Sequence, residues 1–579
     1  LPVLATACGR RRDGIKEITA VAEALNATED KPYSTWYLSL VAFCSGMAVM
    51  GVEMGSSRLL APYFGTSISI WTVIIGSTMI ALTMGYYLGG ILADRNPRLS
   101  FITALLTVAA AAVVFLPYVV QPVMDTTLDR FASGSAMTSA PDGAAKSYGI
   151  IAALLLCAGL ISAPVVVLGM TSPFLIRLAS MRSTAVGHVA GRVFAFSTLG
   201  SILGTFLPAL VLIPRVGTRF SFLLFGGLLL AVTVWSTGRF RTLLLAVSAL
   251  VLFLGFQLGS QTSGPRQGRY LVHEKETIYQ LVRIFRLPLA DVGAQSSLQG
   301  TILLTDAGFG IQSMWVEGQP QTDSWQDSFA LVPRIYEACN NGAAPRRILL
   351  LGLGGGCAPY VISQSYPDAI IDGVELDSGL IEAAKPYFPY EKSPNLTIHV
   401  ADARFFLRTR PQQYDVIIVD VFRPPHIPVH VATAEFFGEI RRKLLPGGIL
   451  AMNVACRDEN RVCNDIANTV ADAFPHVYFS RYISPDASGI FTNHLYVASA
   501  DDLALDRPER EEAVFASPNP AWKEVFEKMR DPQGYEKGQR SFFRQRGFDP
   551  AGTVFSDDRS ALDMVVEREF LGVILGKLK

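Results

Sequence analysis

Between Arg346 and Asp377 the chain reads RRILLLGLGGGCAPYVISQSYPDAIIDGVELD: an apolar strand, a glycine turn, a helical stretch and a second strand ending on two acids. Glycines let backbone N–H groups come close to a ligand, and a carboxylate about 20 residues further on can accept both hydroxyls of a ribose. The chemistry that fits this order is a nucleotide site, of the transferase or the dehydrogenase kind. Glu375 is the ribose-facing acid of that pattern, and further carboxylates end later apolar runs, Asp402 in VADARFFL and Asp420 in YDVIIVDVF. Acids at such strand ends line the crevice where open α/β sheets bind ligands.

Holding these acids in one crevice requires a parallel sheet. ILLLGLG, AIIDGVELD, LTIHVAD, YDVIIVDVF and GGILAMNVA are near-continuous apolar runs, as expected of strands covered on both faces. A strand pair around Val477–Arg481 and Asn493–Ser499 completes a seven-stranded sheet. Upstream, YLVHEKETIYQLVRIFRL and TILLTDAGFGIQSMWV alternate and are broken by glycines, which predicts a small antiparallel sheet. The polar tail from Asp501 is helical in part and carries SDDRSALD, where Asp557 and Asp558 read as a helix cap or as supplementary acids for an amine.

The first half of the chain is of another kind. Of 579 residues 50% are hydrophobic and only 17% charged, too oily for a wholly soluble chain of this size. Apolar runs of roughly 18 to 25 residues, long enough to cross a bilayer, recur from Trp36 to Ser260 and stop before Arg266. About seven spans are predicted, near Trp36–Met54, Ile70–Ile91, Phe101–Val120, Gly149–Met170, Val193–Ile213, Phe220–Trp235 and Thr242–Ser260. Glu53 and Arg58 are the polar candidates within it, expected to pair with each other or with Asp94 and Arg95, or else to bind a polar solute. Basic residues before the first span and in alternate loops place the N-terminus in the cytoplasm. Seven spans would then put the globular half outside, so one segment is expected not to be a full span and the globular half to be cytoplasmic, in a bacterial inner membrane.

Fifty basic and fifty acidic residues give no net charge, which excludes an electrostatic nucleic-acid binder. The seven cysteines lack CxxC spacing and read as free thiols in a reducing compartment, with Cys456 and Cys463 the two that could meet. His426 and His430 flank Pro428, which bars a shared helix face, so no metal site is expected. The opening LPVLATACGRRR lacks Met and reads as a truncated or misassigned start.

The ordered segments HEKETIYQ, TDAGFGIQS, LLLGLGGG, GVELD, VADARFFL and YDVIIVDVF, spread over Tyr270–Ser499, resemble the spermidine synthase group of aminopropyltransferases. The first half, with ExxxxRLLAPYFG around Glu53–Gly65 and GYYLGGILADR, resembles the span region fused to such domains in bacterial membrane-bound synthase-like proteins. The resemblance implies a multi-span α-helical membrane bundle plus α/β: a small antiparallel β domain, then a seven-stranded methyltransferase-like Rossmann domain. The corresponding division is a tail over 1–32, membrane helices over 33–262, the β domain over 263–340, the Rossmann domain over 341–500 and a helical extension over 501–579. It also implies Gln280 on the sulfur and ribose side of the donor, Gly352, Gly354 and Gly356 as its backbone cradle, and Glu375 on its ribose. Asp402 would take the adenine amine, Ala403 the adjacent ring and Asp420 the catalytic place. Tyr279, Arg423 and Asp327 are the acceptor-pocket candidates.

Three of the group's polyamine-recognising acids are missing. Gly355 stands where GGGDGG has its Asp, Leu331 and Pro333 where a YxE segment has Tyr and Glu, and Arg423 where a second Asp follows the catalytic one. A dicationic amine would meet Arg423 with repulsion of about 1–4 kcal/mol at contact, depending on dielectric. The resemblance implies aminopropyl transfer from decarboxylated S-adenosylmethionine to a small amine, without a metal and with a homodimer as a possible assembly. Methyl transfer from S-adenosylmethionine is the first alternative, and a polyamine transporter or sensor with a non-catalytic nucleotide domain is the second.

Overall fold

The computed structural model describes residues 34–64, 68–132, 142–181, 185–236, 241–262, 270–288, 298–306, 311–319, 322, 325–421, 427–456, 461–480, 484–485, 492–516, 520–530 and 542–558. Arg423, His426 and the N-terminal tail lie outside these. Seven helices come first: α1 (Thr35–Phe64), α2 (Ile68–Arg95), α3 (Leu99–Ala132), α4 (Asp142–Ser180), α5 (Val186–Leu207), α6 (Ile213–Ser236) and α7 (Arg241–Thr262). Among the described residues five stretches can cross a membrane by length and composition: Thr35–Ala61, Ile70–Arg95, Leu99–Met124, Leu155–Ser180 and Val186–Trp235, with Leu245–Leu258 a shorter apolar helix.

Val186–Trp235 is 50 residues long, and helix of that length spans about 75 Å, well beyond a bilayer core of about 30 Å. A π-helical stretch at Pro208–Leu212 and a break at Gly217 (φ 81°, ψ 168°) divide it. Neighbouring contacts show that the two pieces run in opposite directions. Along α1, Ser39 accepts from Arg192 and Gly46 faces Ser197, while Gly204 sits against Met47, so α5 runs with α1. In contrast the Tyr37 hydroxyl donates to the carbonyl of Val232, and Gly51 and Gly55 pack on Phe225 and Phe222, so α6 runs against it. Backbones touch at these crossings: a Cβ on Gly200 would lie 1.9 Å from the carbonyl oxygen of Phe43. Close approach of this kind is how helices associate where lipid supplies no hydrophobic drive.

Glu53 is 4% exposed and its Oε2 has no hydrogen-bond partner. Arg58 turns to the carbonyl of Ile278 in the globular half, and Asp94 pairs with Arg177 at 3.1 Å. The pairing expected for Glu53 with Arg58, or of these two with Asp94 and Arg95, therefore does not form: Arg58 and Asp94 bond elsewhere, and Glu53 is buried with an unbonded oxygen.

Four strands, β1 (Leu271–Glu276), β2 (Leu281–Pro288), β3 (Gln299–Thr305) and β4 (Ile311–Val316), form an antiparallel sheet in sequence order. After α8 (Leu331–Cys339) come β5 (Arg347–Leu351), α9 (Cys357–Ser365), β6 (Ile370–Glu375), α10 (Ser378–Ala384), β7 (Leu396–Val400), α11 (Ala403–Thr409), β8 (Tyr414–Val419), α12 (Ala434–Lys443) and β9 (Leu444–Cys456). The chain continues through α13 (Arg461–Ala473), β10 (His476–Ser480), β11 (Ser484–Pro485), β12 (Thr492–Ser499), α14 (Pro508–Phe515), α15 (Pro520–Arg530) and β13 (Phe543–Arg546).

The second sheet has the order β13-β10-β12-β9-β8-β5-β6-β7, with β11 paired to β12. Strands β5 to β9 are parallel and β12, β10 and β13 antiparallel. Its nine strands exceed the expected seven because the polar tail returns to add β13 along β10 and a two-residue β11 pairs with β12. Ile348 to Leu351 and Val416 to Val419 are fully buried, as two-sided cover requires. Cys463 is disulfide-bonded, which corrects the expectation of free thiols throughout; Cys44, Cys157, Cys339 and Cys357 are free.

Candidate active site

The parallel order reverses at β5, whose neighbours are β6 and β8. Such a switch point opens a crevice at the C-terminal strand ends, and Gly352, Glu375 and Asp420 stand at the ends of these three strands. Gly352 adopts φ 92°, and a Cβ there would lie 2.1 Å from the carbonyl oxygen of Asp420, so the turn after β5 closes directly on the end of β8.

Glu375 braces this turn. Its Oε2 accepts from the N–H of Leu353 at 3.1 Å and of Gly354 at 3.2 Å, and its Oε1 accepts from the N–H of Asp377 at 3.1 Å. Burial pushes its carboxyl above the ordinary range, against these three N–H groups, which pull it down. A carboxylate has about four lone-pair sites, so a vicinal diol could take one freely and would share or displace one N–H for the other.

Gln280 reaches the same corner: its amide donates to Asp377 Oδ2 at 3.2 Å, and the Thr277 hydroxyl donates to that oxygen at 2.6 Å. Asp377 also caps α10 through Oδ1. Tyr279 lies between Thr277 and Gln280 in this turn, its N–H bonded to the Thr277 hydroxyl at 3.1 Å.

Asp402 caps α11, accepting from the Phe405 N–H at 2.9 Å, and its other oxygen meets His430 Nε2 at 3.0 Å. Burial raises its carboxyl, but the Phe405 N–H and His430 outweigh that and hold it below the usual carboxylate range. Ala403, the first residue of α11, is buried beside it.

Asp420 follows β8, and its Oδ1 accepts from the amide of Asn453 on β9 at 3.1 Å. Burial pushes its carboxyl up to about 7, opposed by Asn453 and reinforced by the charge of Glu375. A carboxyl near neutrality is poised for proton transfer.

Other sequence candidates are committed elsewhere. Asp327 is buried and accepts from the N–H and hydroxyl of Thr322 at 2.7 and 2.8 Å. Both oxygens of Asp557 are taken by Arg404 at 2.7 and 2.8 Å, which argues against its use as an amine-binding acid. Leu331 and Pro333 lie buried at the start of α8. Gly355 has no room for a side chain: a Cβ would sit 2.7 Å from Phe388 Cδ1 and 2.8 Å from Ser313 Cβ. Its N–H donates to the Ser313 hydroxyl at 2.8 Å, so the small sheet contributes directly to the glycine turn.

Sequence reasoning missed Asn453, Thr277 and Ser313. Asn453 left a signal, a lone amide within the apolar run GGILAMNVA; the other two are small hydroxyls among many.

Fold and site together define a methyltransferase-like Rossmann unit preceded by a small antiparallel sheet. Residues 339–504 match the family described as Spermine/spermidine synthase domain. That stretch of the chain is thus similar to a spermidine synthase domain. It is 28% identical over 206 residues to a probable polyamine aminopropyl transferase of Bifidobacterium longum, covering 35% of this chain and 42% of that protein. It is 27% identical over 197 residues to the eEF1A lysine and N-terminal methyltransferase of Homo sapiens, covering 31% and 28%. These alignments span well under two thirds of either relative. Polyamine aminopropyltransferase 2 of Ralstonia nicotianae is 24% identical over 396 residues, 66% of this chain and 71% of that protein. Since only 317 residues follow Thr262, that similarity extends into the apolar helices. A solved structure described as a probable spermidine synthase from Corynebacterium glutamicum aligns at 20% identity over 50% of this chain and 97% of its own, with a TM-score of 0.36.

Proposed function

We propose that the globular half transfers an aminopropyl group from decarboxylated S-adenosylmethionine to an amine, with Asp420 as the orienting base. The observation that carries this reading is Asp420 itself: a carboxyl at the end of β8, pushed up to about 7 by desolvation and bonded by Asn453, beside the Glu375-braced turn. Ionised, it takes a proton from an ammonium; the freed nitrogen attacks the carbon beside the sulfonium, the N–C bond forms, and sulfur keeps the pair of the broken C–S bond. Orientation and proton removal are what such a displacement asks of a protein. Glu375 and Gln280 would hold the donor's ribose side, Asp402 and Ala403 its base, and Tyr279 would face the acceptor.

Methyl transfer from S-adenosylmethionine is favoured by a different observation. Phe388 and Ser313 fill the place of the acid that binds the decarboxylated donor's amine, which removes that preference for the decarboxylated form. Purified protein incubated with each donor and a polyamine mixture, followed by product mass spectrometry, decides between them. Aminopropylated amines support the first reading, methylated products the second, and neither product defeats both.

The apolar helices anchor this activity to a membrane on the same reading. Because the donor is made in the cytoplasm, the reading also requires the Gly217 end of the bundle, which carries the globular half, to face the cytoplasm; α1 runs against α6, so its start then lies on the opposite side, against the orientation expected from the basic residues. Labelling of an introduced surface cysteine in the globular half of intact cells by an impermeant reagent would contradict it.

A further inference from the structure

Two contacts from the apolar helices land on the turn that carries Tyr279 and Gln280. Arg58, near the end of α1, donates through its guanidinium to the carbonyl of Ile278. Thr218, the first residue after the break at Gly217, donates its N–H to Glu276 Oε2 at 2.9 Å and its hydroxyl to Glu276 Oε1. Burial pushes the Glu276 carboxyl up, and the two Thr218 bonds and the charge of Arg58 oppose it. Removing a donor from this half-buried carboxylate is costly to the extent that water cannot reach the acceptor left behind.

Glu276 and Ile278 flank Thr277, and from Thr277 an unbroken series of bonds enters the site. Its hydroxyl donates to Asp377 Oδ2 at 2.6 Å and accepts from the Gln280 N–H at 3.0 Å. Its own N–H donates to the Gln280 carbonyl at 2.8 Å. The Asp377 N–H then bonds Glu375 Oε1 at 3.1 Å, and Glu375 holds the turn after β5. The path from Thr218 to the glycine turn thus runs through Glu276, Thr277, Asp377 and Glu375.

The geometry points to Thr218 and Arg58 as positioning residues of the donor site: the apolar half clamps the Glu276–Gln280 turn against Asp377, so the site is fully formed only with the bundle docked. The donor identity rests on the proposed function; the bonded path does not. Gly217 fits the role of a joint, since its φ of 81° starts α6 in the direction that aims Thr218 at Glu276.

The test uses the full chain in lipid nanodiscs and three variants, Thr218→Val, Thr218→Ser and Arg58→Met. Amide hydrogen exchange at Thr277, Gln280, Gly379 and Leu380 is read beside Ile348–Leu351 as an internal control, and calorimetry measures binding of decarboxylated and intact S-adenosylmethionine. Thr218→Val and Arg58→Met should each speed exchange at the four amides about 10-fold and weaken donor binding about 10-fold, with the control strand unchanged. Thr218→Ser should restore both, which separates the lost bond from a folding defect. Unchanged exchange at these amides overturns the inference, and so does faster exchange with donor affinity intact. If the unmodified protein binds neither donor while the variants still loosen the turn, the coupling stands and the donor reading falls.

Discussion

Asn453 donates its side-chain amide to Asp420 Oδ1 across the β8–β9 junction. The bond favours the ionised form, so it works against the burial that lifts Asp420. Replacing Asn453 with Leu removes it, and the acid limb of the kcat/KM profile should move alkaline by about one pH unit. The check is a pH–rate profile of both proteins; an unmoved limb would show that another group sets it.

Asp420 also fixes the direction of the pH dependence. A general base acts when ionised, and its carboxyl lies at about 7, so kcat/KM should rise with pH through neutrality and level off above it. Asp420→Asn should lower turnover by about 10²- to 10⁴-fold and change donor affinity much less. Product quantification with calorimetry on the same samples separates the two effects.

Placing an acid at the glycine turn, as in the resembled GGGDGG segment, should fail for steric reasons. In Gly355→Asp the new Cβ meets Phe388 and Ser313 at 2.7 and 2.8 Å, and overpacking of this kind costs about 1–3 kcal/mol. Chemical denaturation should therefore show lower stability and donor binding should weaken. Gly355→Asp combined with Phe388→Ala opens the space, and a gain in preference for the decarboxylated donor only in the double variant would show that Phe388 took over this place.

Most of the parallel sheet was legible because strands buried on both faces are written as unbroken apolar runs, which is how β5, β6, β8 and β9 stand out. The candidate site acids left a similar signal: Glu375 and Asp420 each break such a run where it ends, and Asp402 follows β7, which lies at the sheet edge and is partly exposed. Strand β13 was not, since Phe543–Arg546 pairs only with β10 at the sheet edge and its residues alternate charge without an apolar run. Nor did any local pattern announce that Arg58 and Thr218 would reach Ile278 and Glu276, because that depends on how the two halves meet. The reversal between α5 and α6 was visible as two apolar ranges. The partner of Arg58 was not, since charge spacing along one helix does not say which neighbouring element comes closest.

Arg404 ties Asp557, near the end of the described residues, to helices α11 and α12, and this gives acid sensitivity a definite sign. Its guanidinium, 7% exposed, bonds Asp557 through two nitrogens and Glu439 through two, while Thr433 adds a bond to Asp557. Hydrogen bonds from Arg404 hold Asp557 below the ordinary range; for Glu439 burial pushes up, but Arg404 and Arg408 outweigh it and leave that carboxyl low as well. Groups with depressed folded values stabilise fully above their unfolded values, about 4, and that stabilisation is lost as pH falls through the folded ones. The thermal midpoint of the unmodified protein should therefore drop below about pH 4. Arg404→Met removes one partner from a largely buried pair and should cost about 3 kcal/mol at neutral pH, with a shallower loss on acidification because the carboxyls are no longer held low. Thermal unfolding of both proteins across this range checks the prediction, and parallel slopes would assign the acid sensitivity to other carboxylates.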